Sequence, residues 1–191
     1  RRDLRNRPAL AIVGSRNATQ HGVANAEAFA GALARTGLTI VSGLALGIDA
    51  AAHEGALDGG GPTVAVLGCG VDVVHPQRHR ALRERIRTGA GAIVSEYWLG
   101  VRPLPWRFPA RNRIVAALAD AVIVVEAAAR SGALITADFA LEGGTAVLAV
   151  PGVPRAPMSA GCHALLRAGA GLCEGVEDVL AEVPHPGWRD R

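Results

Sequence analysis

Short apolar runs alternate along the chain with Ala-rich segments in which apolar residues recur at helical spacing. Six of these runs predict strands, at 9–13, 38–41, 63–68, 92–95, 121–126 and 145–150. Helices are predicted at about 22–35, 48–57 and 80–87, and again after Pro109 and Ser131. Because the runs are apolar almost throughout, they are typical of parallel strands that are covered on both faces. The pattern therefore predicts an α/β fold, a doubly wound, mostly parallel Rossmann-like sheet with helices on both faces.

The length of the chain, 191 residues, suits one domain with a substantial apolar core. Residues 9–182 contain every predicted element and form the predicted Rossmann-like domain. The segments 1–8 and 183–191 carry proline and arginine without an apolar period. They are therefore predicted to be tails or linkers that can lead to other domains.

The basic residues have an unusual composition, because all 20 are arginine and the chain has no lysine. Schiff-base chemistry, pyridoxal-phosphate catalysis and an ordinary Walker A phosphate loop are thereby excluded. The three cysteines lack metal-ligand spacing, so we predict free thiols and no bound metal. No apolar run reaches the ~18 residues of a membrane span, which predicts a soluble, cytoplasmic protein. The net charge of +3 is too small to identify a nucleic-acid partner by itself.

Small residues follow the predicted strands, at the edge of the sheet where such folds bind ligands. After the first strand, Gly14 permits a tight turn, Ser15 offers a hydroxyl and Arg16 can form a fork to a phosphate. After the second strand, Ser42 and Gly43 open the stretch SGLALGID, whose backbone N–H groups can form an anion-binding concavity. For the GSR stretch, the alternative is an ordinary tight turn, whereas SGLALGID is more specific.

A similar turn follows the fifth strand, where Ser131 can cap the next helix and Gly132 lets a phosphate approach its first N–H groups. Asp49 and His53 lie four residues apart on one helix face. This spacing is more typical of a structural hydrogen-bonded pair than of a metal or acid–base site. The stretch GCG at 68–70 lacks the last glycine of a dinucleotide fingerprint, so neither NAD nor another cofactor is predicted.

The stretch RFPARNRIV, residues 107–115, places three arginines beside the N-terminus of a predicted helix. That end of a helix already carries partial positive charge, so Arg111 and Arg113 are unfavourable there unless an anion neutralises them. One arginine can pair with a carboxylate such as Glu96 or Glu126. For the three arginines together, an external anion is the preferred interpretation.

Four of the seven aromatic residues lie in or beside the preceding loop, namely Tyr97, Trp98, Trp106 and Phe108. Arginines, including Arg107, are interspersed among them. Aromatic faces stack bases while arginines hold phosphates, a combination used by proteins that bind single strands. The alternative is a loop that its own aromatic residues hold in place. The sequence shows no helix-turn-helix pattern of the kind that reads a duplex.

Seven motifs in a fixed order carry a resemblance to a known family: GSR, SGLALGIDAAAHEGAL, TVAVLGCGVDVVHP, IVSEYWLG, FPARNRIVAAL, VVEAAARSGALITA and AVPG. Between about residues 9 and 180 the chain resembles the Rossmann-like domain of the DprA/Smf family. The resemblance implies a bacterial DNA-processing protein that binds single-stranded DNA, protects incoming DNA in natural transformation and loads the RecA recombinase. It implies no enzyme activity, and we assign no catalytic residue.

The resemblance also implies where DNA is contacted. The contacts carried over by motif are Ser15, Arg16, Phe108, Arg111, Asn112, Arg113, Ser131 and Gly132. Ser42, Gly43 and Arg107 join them from the strand-end and loop patterns described above. Many relatives have YPxxN where this chain has HPQRH at 75–79, and a basic residue, usually lysine, where it has Pro105.

A homodimer is also expected, because relatives in the family pair through their C-terminal half. The segment 151–180 contains Met158, Leu165 and Leu166, which are predicted to form an exposed apolar patch. The alternative is that these side chains cover the sheet.

An enzyme is the main alternative function. The related cytokinin-activating phosphoribohydrolases, the LOG family, use a PGGxGTxxE loop to bind and cleave nucleoside monophosphates. The equivalent loop here, RSGALITADFALE, lacks the glutamate at that spacing. A nucleotide-sensing module without catalysis is a third interpretation.

Overall fold

A parallel sheet forms the centre of the computed structural model, which describes residues 7–183. Its strands are β1 (Ala9–Val13), β2 (Thr39–Ser42), β3 (Thr63–Val66), β4 (Ala92–Val94), β5 (Ala121–Val124), β6 (Ala146–Ala149) and β7 (Gly171–Leu172). They lie in the order β4-β3-β2-β1-β5-β6-β7, and every neighbouring pair is parallel. The predicted α/β fold and its parallel sheet are confirmed. The short edge strand β7 was not predicted, because its two exposed residues form no apolar run.

Helices cover both faces of this sheet, as predicted. They are α1 (Gln20–Arg35), α2 (Ile48–Asp58), α3 (Arg80–Thr88), α4 (Arg107–Ala117), α5 (Gly132–Glu142), α6 (Ala160–Arg167) and α7 (Val176–Glu182). One apolar cluster packs α1, α2 and α7 on the first face, where α3 also lies against α2. A second cluster packs α4, α5 and α6 on the opposite face. The last two helices, α6 and α7, were not predicted from the sequence.

The strands at the centre of the sheet are buried on both sides, which explains their unbroken apolar runs. In β1, Leu10 and Ile12 join the first cluster, whereas Ala11 and Val13 join the second. Few aromatic side chains are needed because neighbouring helices approach each other closely. A Cβ atom on Gly55 of α2 would lie 2.3 Å from the backbone oxygen of Glu27 in α1. Glycine at this position therefore lets the two helices touch.

The order of the strands determines where a ligand can bind. The chain builds β1 to β4 toward one edge, and then α4 crosses the opposite face so that β5 pairs with the free side of β1. The strand order reverses between β1 and β5. A crevice opens at such a switch point, beyond the carboxyl ends of the strands. The GSR turn and the SGAL turn are thereby brought side by side.

Several predictions about the remaining residues can be compared with this fold. Cys69, Cys162 and Cys173 are free cysteines, as predicted, and all three are buried. Within residues 7–183, no His, Cys, Asp and Glu side chains cluster in a way that would hold a metal ion. Over the same residues, none of the helices combines the length and apolar character needed to cross a membrane.

The three residues of the predicted apolar patch in the C-terminal segment are not exposed, and Leu165 and Leu166 pack against the second apolar cluster. Leu165 is only 9% exposed and packs in the second apolar cluster, so it covers the sheet. Met158 and Leu166 are half-buried. The predicted tails lie largely outside the described residues, since positions 1–6 and 184–191 are not part of the description.

Candidate functional site

A cavity of about 480 Å³ opens at the carboxyl ends of β1, β2 and β5. Eight of the predicted contact residues line it, namely Ser15, Arg16, Gly43, Phe108, Arg111, Asn112, Ser131 and Gly132. A smaller cavity of about 190 Å³ adjoins it, sharing Arg16, Phe108 and Arg111 and reaching His75. Ser42, Arg107 and Arg113 do not line either cavity. The fold therefore brings most of the predicted residues to one place.

The GSR turn supplies an outward-facing cation. Ser15 is buried. Its N–H donates to the backbone oxygen of Glu126 at 2.7 Å, and its hydroxyl accepts from the Asn17 N–H at 3.1 Å. These bonds fix the turn and leave the side chain of Arg16 exposed. The guanidinium carbon of Arg16 lies 5.4 Å from the centre of the Phe108 ring. Among residues 7–183, no carboxylate forms an ion pair with Arg16.

The N-terminus of α1, the usual phosphate site of such folds, is already occupied by a carboxylate. Glu126, which follows β5, accepts from the Thr19 hydroxyl at 2.5 Å and from the Thr19 N–H at 2.9 Å. A Cβ atom on Gly22 would lie 2.4 Å from the Glu126 carboxyl carbon, so glycine makes room for this contact. A phosphate at this helix end would meet the charge of Glu126. This role of Glu126 was not predicted.

The anion-binding concavity predicted after β2 is also occupied by a carboxylate of the protein itself. Asp49, in the first turn of α2, accepts from the N–H groups of Gly43 at 3.1 Å and Ala45 at 3.3 Å. The Ser42 hydroxyl is wholly buried and donates to the Ile12 oxygen at 2.7 Å. Burial raises the pKa of Asp49, while the nearby charge of Arg111 lowers it in part. The loop is thus shaped by Asp49, and DNA contacts by Ser42 and Gly43 stay a prediction.

Arg111 is a buried cation beneath the cavity. It is only 3% exposed, and its Nη1 donates to the Val66 oxygen at the end of β3. A Cβ atom on Gly43 would lie 2.1 Å from Nη1, so the absent side chain creates the space that the guanidinium occupies. Burial lowers the pKa of Arg111, and the charge of Asp49 opposes that shift. The side chain therefore ties α4 to the ends of β2 and β3.

The N-terminus of α5 is the open cradle of the cavity. The Ser131 hydroxyl accepts from the Ala133 N–H at 3.3 Å and caps the helix, as predicted. A Cβ atom on Gly132 would meet nothing within 4 Å, so this turn faces open space. The Asn112 amide donates to the Gly132 oxygen at 3.1 Å and fastens the turn to α4. The Leu134 N–H donates to the Ser131 backbone oxygen at 3.1 Å, so among residues 7–183 the Gly132 N–H is the first-turn donor left for an anion that enters the cavity.

The three arginines of the RFPARNR stretch have internal partners. Arg113 pairs with Glu96 on the surface, which is the alternative considered for a single arginine. Arg107 donates to the Arg102 oxygen, and its guanidinium carbon lies 4.9 Å from the Tyr97 ring centre and 5.0 Å from that of Trp106. Arg113 and Arg111 thus have carboxylates near them, whereas Arg107 forms no ion pair among residues 7–183, and an external anion at this stretch stays a prediction.

An aromatic wall closes one side of the cavities. The rings of Phe108 and His75 lie 5.4 Å apart and are tilted by 34°. Burial, followed by the charge of Arg16, lowers the pKa of His75. His75 was not predicted as a site residue, although its place before Pro76 in the departing HPQRH segment was a signal. A neutral imidazole beside Phe108 offers a flat surface of the kind that stacks on a base.

The prediction that His53 and Asp49 form a hydrogen-bonded pair is wrong. The Thr63 hydroxyl donates to the Ile40 oxygen at 2.8 Å, so it accepts from His53 Nδ1 at 2.7 Å. The other ring nitrogen, Nε2, has no partner among residues 7–183. The imidazole is therefore neutral, and burial lowers the pKa of His53 to about 3.

This buried imidazole is expected to make the fold less stable in acid. An unfolded histidine takes up a proton below pH ~6.5, whereas folded His53 does so only near pH 3, so protons favour the unfolded chain between these values. The contribution is roughly 1 kcal/mol of unfolding free energy per pH unit. Urea titrations from pH 7.5 to 4 should show a weaker acid dependence for His53→Gln. An equal dependence in both proteins would contradict this account.

Comparison with known proteins assigns this chain to a family. The protein family model described as DNA recombination-mediator protein A matches residues 1–184. The DNA processing protein DprA of Streptococcus pneumoniae is 47% identical over 180 residues, which cover 94% of this chain and 63% of that protein. Protein Smf of Escherichia coli is 47% identical over 171 residues, covering 90% of this chain and 46% of that protein. The chain thus spans about half to two thirds of the length of these relatives.

Solved structures agree with the fold. The X-ray structure of DNA processing protein A from Streptococcus pneumoniae matches with a TM-score of 0.89 and 46% identity, covering 95% of this chain and 64% of that one. DNA processing protein A from Helicobacter pylori, described for its unique single-stranded DNA binding mode, matches with a TM-score of 0.83, 32% identity and coverages of 93% and 80%. A molybdenum cofactor binding protein from Rippkaea orientalis, at 18% identity and a TM-score of 0.63, shares the fold alone.

Proposed function

We propose that the cavity of this chain binds single-stranded DNA. The chain belongs to the DNA recombination-mediator protein A family, also called DprA/Smf, and the proposal proceeds from that membership. Members of this family are DNA-processing proteins. The observation that carries the proposal is the convergence of Arg16, Phe108 and the N-terminus of α5 on one cavity at the switch point of the sheet. The single-stranded DNA binding mode described for the Helicobacter pylori relative supports it.

The cavity has separate places for the two parts of a nucleotide. Arg16 offers a cation to a phosphate, and the Gly132 N–H at the start of α5 offers a donor. The Phe108 ring, with His75 behind it, offers a face to a base. Because α1 and α2 carry Glu126 and Asp49 at their N-termini, the phosphate is directed to α5. Arg111 and Asn112 then act mainly by holding these groups in position.

Unpaired DNA fits this arrangement better than a duplex. A cavity of about 480 Å³ is of the size that holds a small ligand, so it accepts a splayed nucleotide and excludes a double helix. The contacts involve phosphate and the face of a base. They do not involve base edges, so little sequence preference is expected.

A salt-dependent preference for single strands is therefore expected. Fluorescence anisotropy should show tighter binding to labelled oligo-dT than to a duplex of equal length. The affinity should fall steeply with salt, because each neutralised phosphate releases about 0.7 counterion from a single strand. An equal affinity for the duplex, or an affinity that salt does not change, would contradict the proposal.

Binding without catalysis is part of the same proposal. The α5 turn lacks the glutamate that the LOG-like enzymes use, and Asp49 in the cavity wall is buried and engaged with loop N–H groups. Release of free base from AMP would favour the enzyme instead. Binding of AMP without release would favour the nucleotide-sensing alternative.

The partners expected for the family are proposals as well. We propose that this protein takes part in protecting DNA and in loading the RecA recombinase, and that it acts as a homodimer. The chain spans about half to two thirds of the length of the relatives it matches, so these roles rest on the family alone.

A further inference from the structure

Two tryptophans on the loop between β4 and α4 are strongly exposed. Trp98 is 86% exposed and Trp106 is 61% exposed, and Leu99 beside them is 70% exposed. Tryptophan is the largest apolar side chain, and its burial contributes strongly to folding and to interfaces. Two tryptophans exposed to this extent on one loop therefore indicate a binding surface.

The loop takes most of its shape from contacts other than the faces of these two side chains. Its backbone is fixed by the Gly70 N–H, which donates to the Val101 oxygen at 2.9 Å, and by the Gly100 N–H, which donates to the Asp72 carboxylate at 2.9 Å. The Arg107 guanidinium lies close to the rings of Tyr97 and Trp106 and joins the two ends of the loop. The explanation that aromatic residues hold the loop therefore applies to Tyr97 and in part to Trp106, and it leaves most of the surface of both tryptophans in solvent.

Trp106 lies at the rim of the cavity. Pro105, Phe108 and Pro109, which flank it in the chain, all line the cavity. The volume of about 480 Å³ holds about one or two nucleotides, so a longer strand must continue outside it. The loop offers that strand an apolar surface next to the positive charges of Arg102 and Arg107.

We propose that Trp98 and Trp106 form a platform on which unpaired bases stack after the strand leaves the cavity. This inference rests on the proposed single-strand function and extends it to a second group of contacts. The faces of exposed indole rings accept every base, so the platform requires no particular sequence. It adds stacking area without adding a phosphate contact, since neither tryptophan is charged.

The platform can be tested with oligonucleotides of two lengths. Trp98→Ala and Trp106→Ala should each weaken binding of a 20-nucleotide oligo-dT by roughly 5- to 100-fold, the range measured for loss of one stacked base. Binding of a two-nucleotide oligo-dT, which the cavity accommodates, should not change. The salt dependence for the 20-mer should also keep its slope, because no phosphate contact is lost. Trp98→Tyr should restore much of the affinity, and Leu141→Ala, an exposed apolar residue on α5, is the control.

Tryptophan fluorescence provides a second measurement. With Trp188 replaced by phenylalanine, the remaining emission comes from Trp98 and Trp106. Addition of the 20-mer should quench it, whereas the two-nucleotide strand should quench it weakly. If the protein binds both strands but the alanine variants and the emission do not respond, the platform is refuted and the single-strand function stands. If the unaltered protein binds neither strand, the function itself fails. A change confined to the self-association of the variants would assign this surface to a protein contact and refute the platform.

Discussion

Replacement of Arg111 by methionine is expected to lower the free energy of unfolding by about 3–5 kcal/mol, as is typical when one partner of a buried charge pair is removed. The guanidinium is 3% exposed, donates to the Val66 oxygen and lies close to Asp49. Methionine fills much of the same volume but leaves the Val66 oxygen and the buried Asp49 carboxylate without their cation. Urea unfolding followed by circular dichroism measures the loss.

The neighbouring arginine of the same helix is the matched control. Arg113→Met removes an equal charge from an exposed ion pair with Glu96, whose side chains are 53% and 31% exposed. Such surface pairs contribute at most about 1 kcal/mol, so this variant should stay close to the unaltered protein. A stable Arg111→Met that has lost affinity for single-stranded DNA would contradict the structural role and make Arg111 a phosphate contact.

The sheet could be predicted because each buried strand is visible as a short apolar run in its own stretch of sequence. β5 is buried along its whole length and is therefore a continuous run of β-branched and apolar residues. The strand β7 and the helices α6 and α7 lack such a signal, since they are short and lie at or near an edge of the sheet. The position of the site followed from the fold, because parallel strands present their carboxyl ends at a common edge.

The carboxylate at the N-terminus of α1 could not be predicted, because it comes from a distant part of the chain. Glu126 reaches Thr19 across 107 positions, and only the pairing of β1 with β5 brings them together. The burial of Arg111 has the same origin. Its position in the first turns of α4 indicated exposure, but α4 crosses the sheet and turns this residue toward the end of β3.

Arg16→Ala is expected to weaken binding of single-stranded oligo-dT by roughly 10- to 100-fold, because a charge-assisted hydrogen bond to phosphate contributes about 1.5–3 kcal/mol. The plot of log affinity against log salt should become shallower by about 0.7, the contribution of one phosphate on a single strand. Stability should change by less than about 1 kcal/mol, since Arg16 is exposed and its contact with the Phe108 ring is a weak cation–π interaction. Anisotropy titrations at four salt concentrations, with melting curves of the same samples, measure both quantities.

The position of Arg16, rather than its charge alone, accounts for this expected effect, and Arg35→Ala separates the two. Arg35 is exposed in the last turn of α1, near the amino end of β2, whereas the cavity lies at the carboxyl ends of the strands. Its replacement changes the net charge by the same amount, so a long-range effect of charge would weaken binding equally in both variants. We expect Arg35→Ala to keep both the affinity and the salt slope. Equal losses in the two variants would refute a direct phosphate contact at Arg16, and so would an Arg16→Ala protein that melts earlier but binds DNA with an unchanged slope.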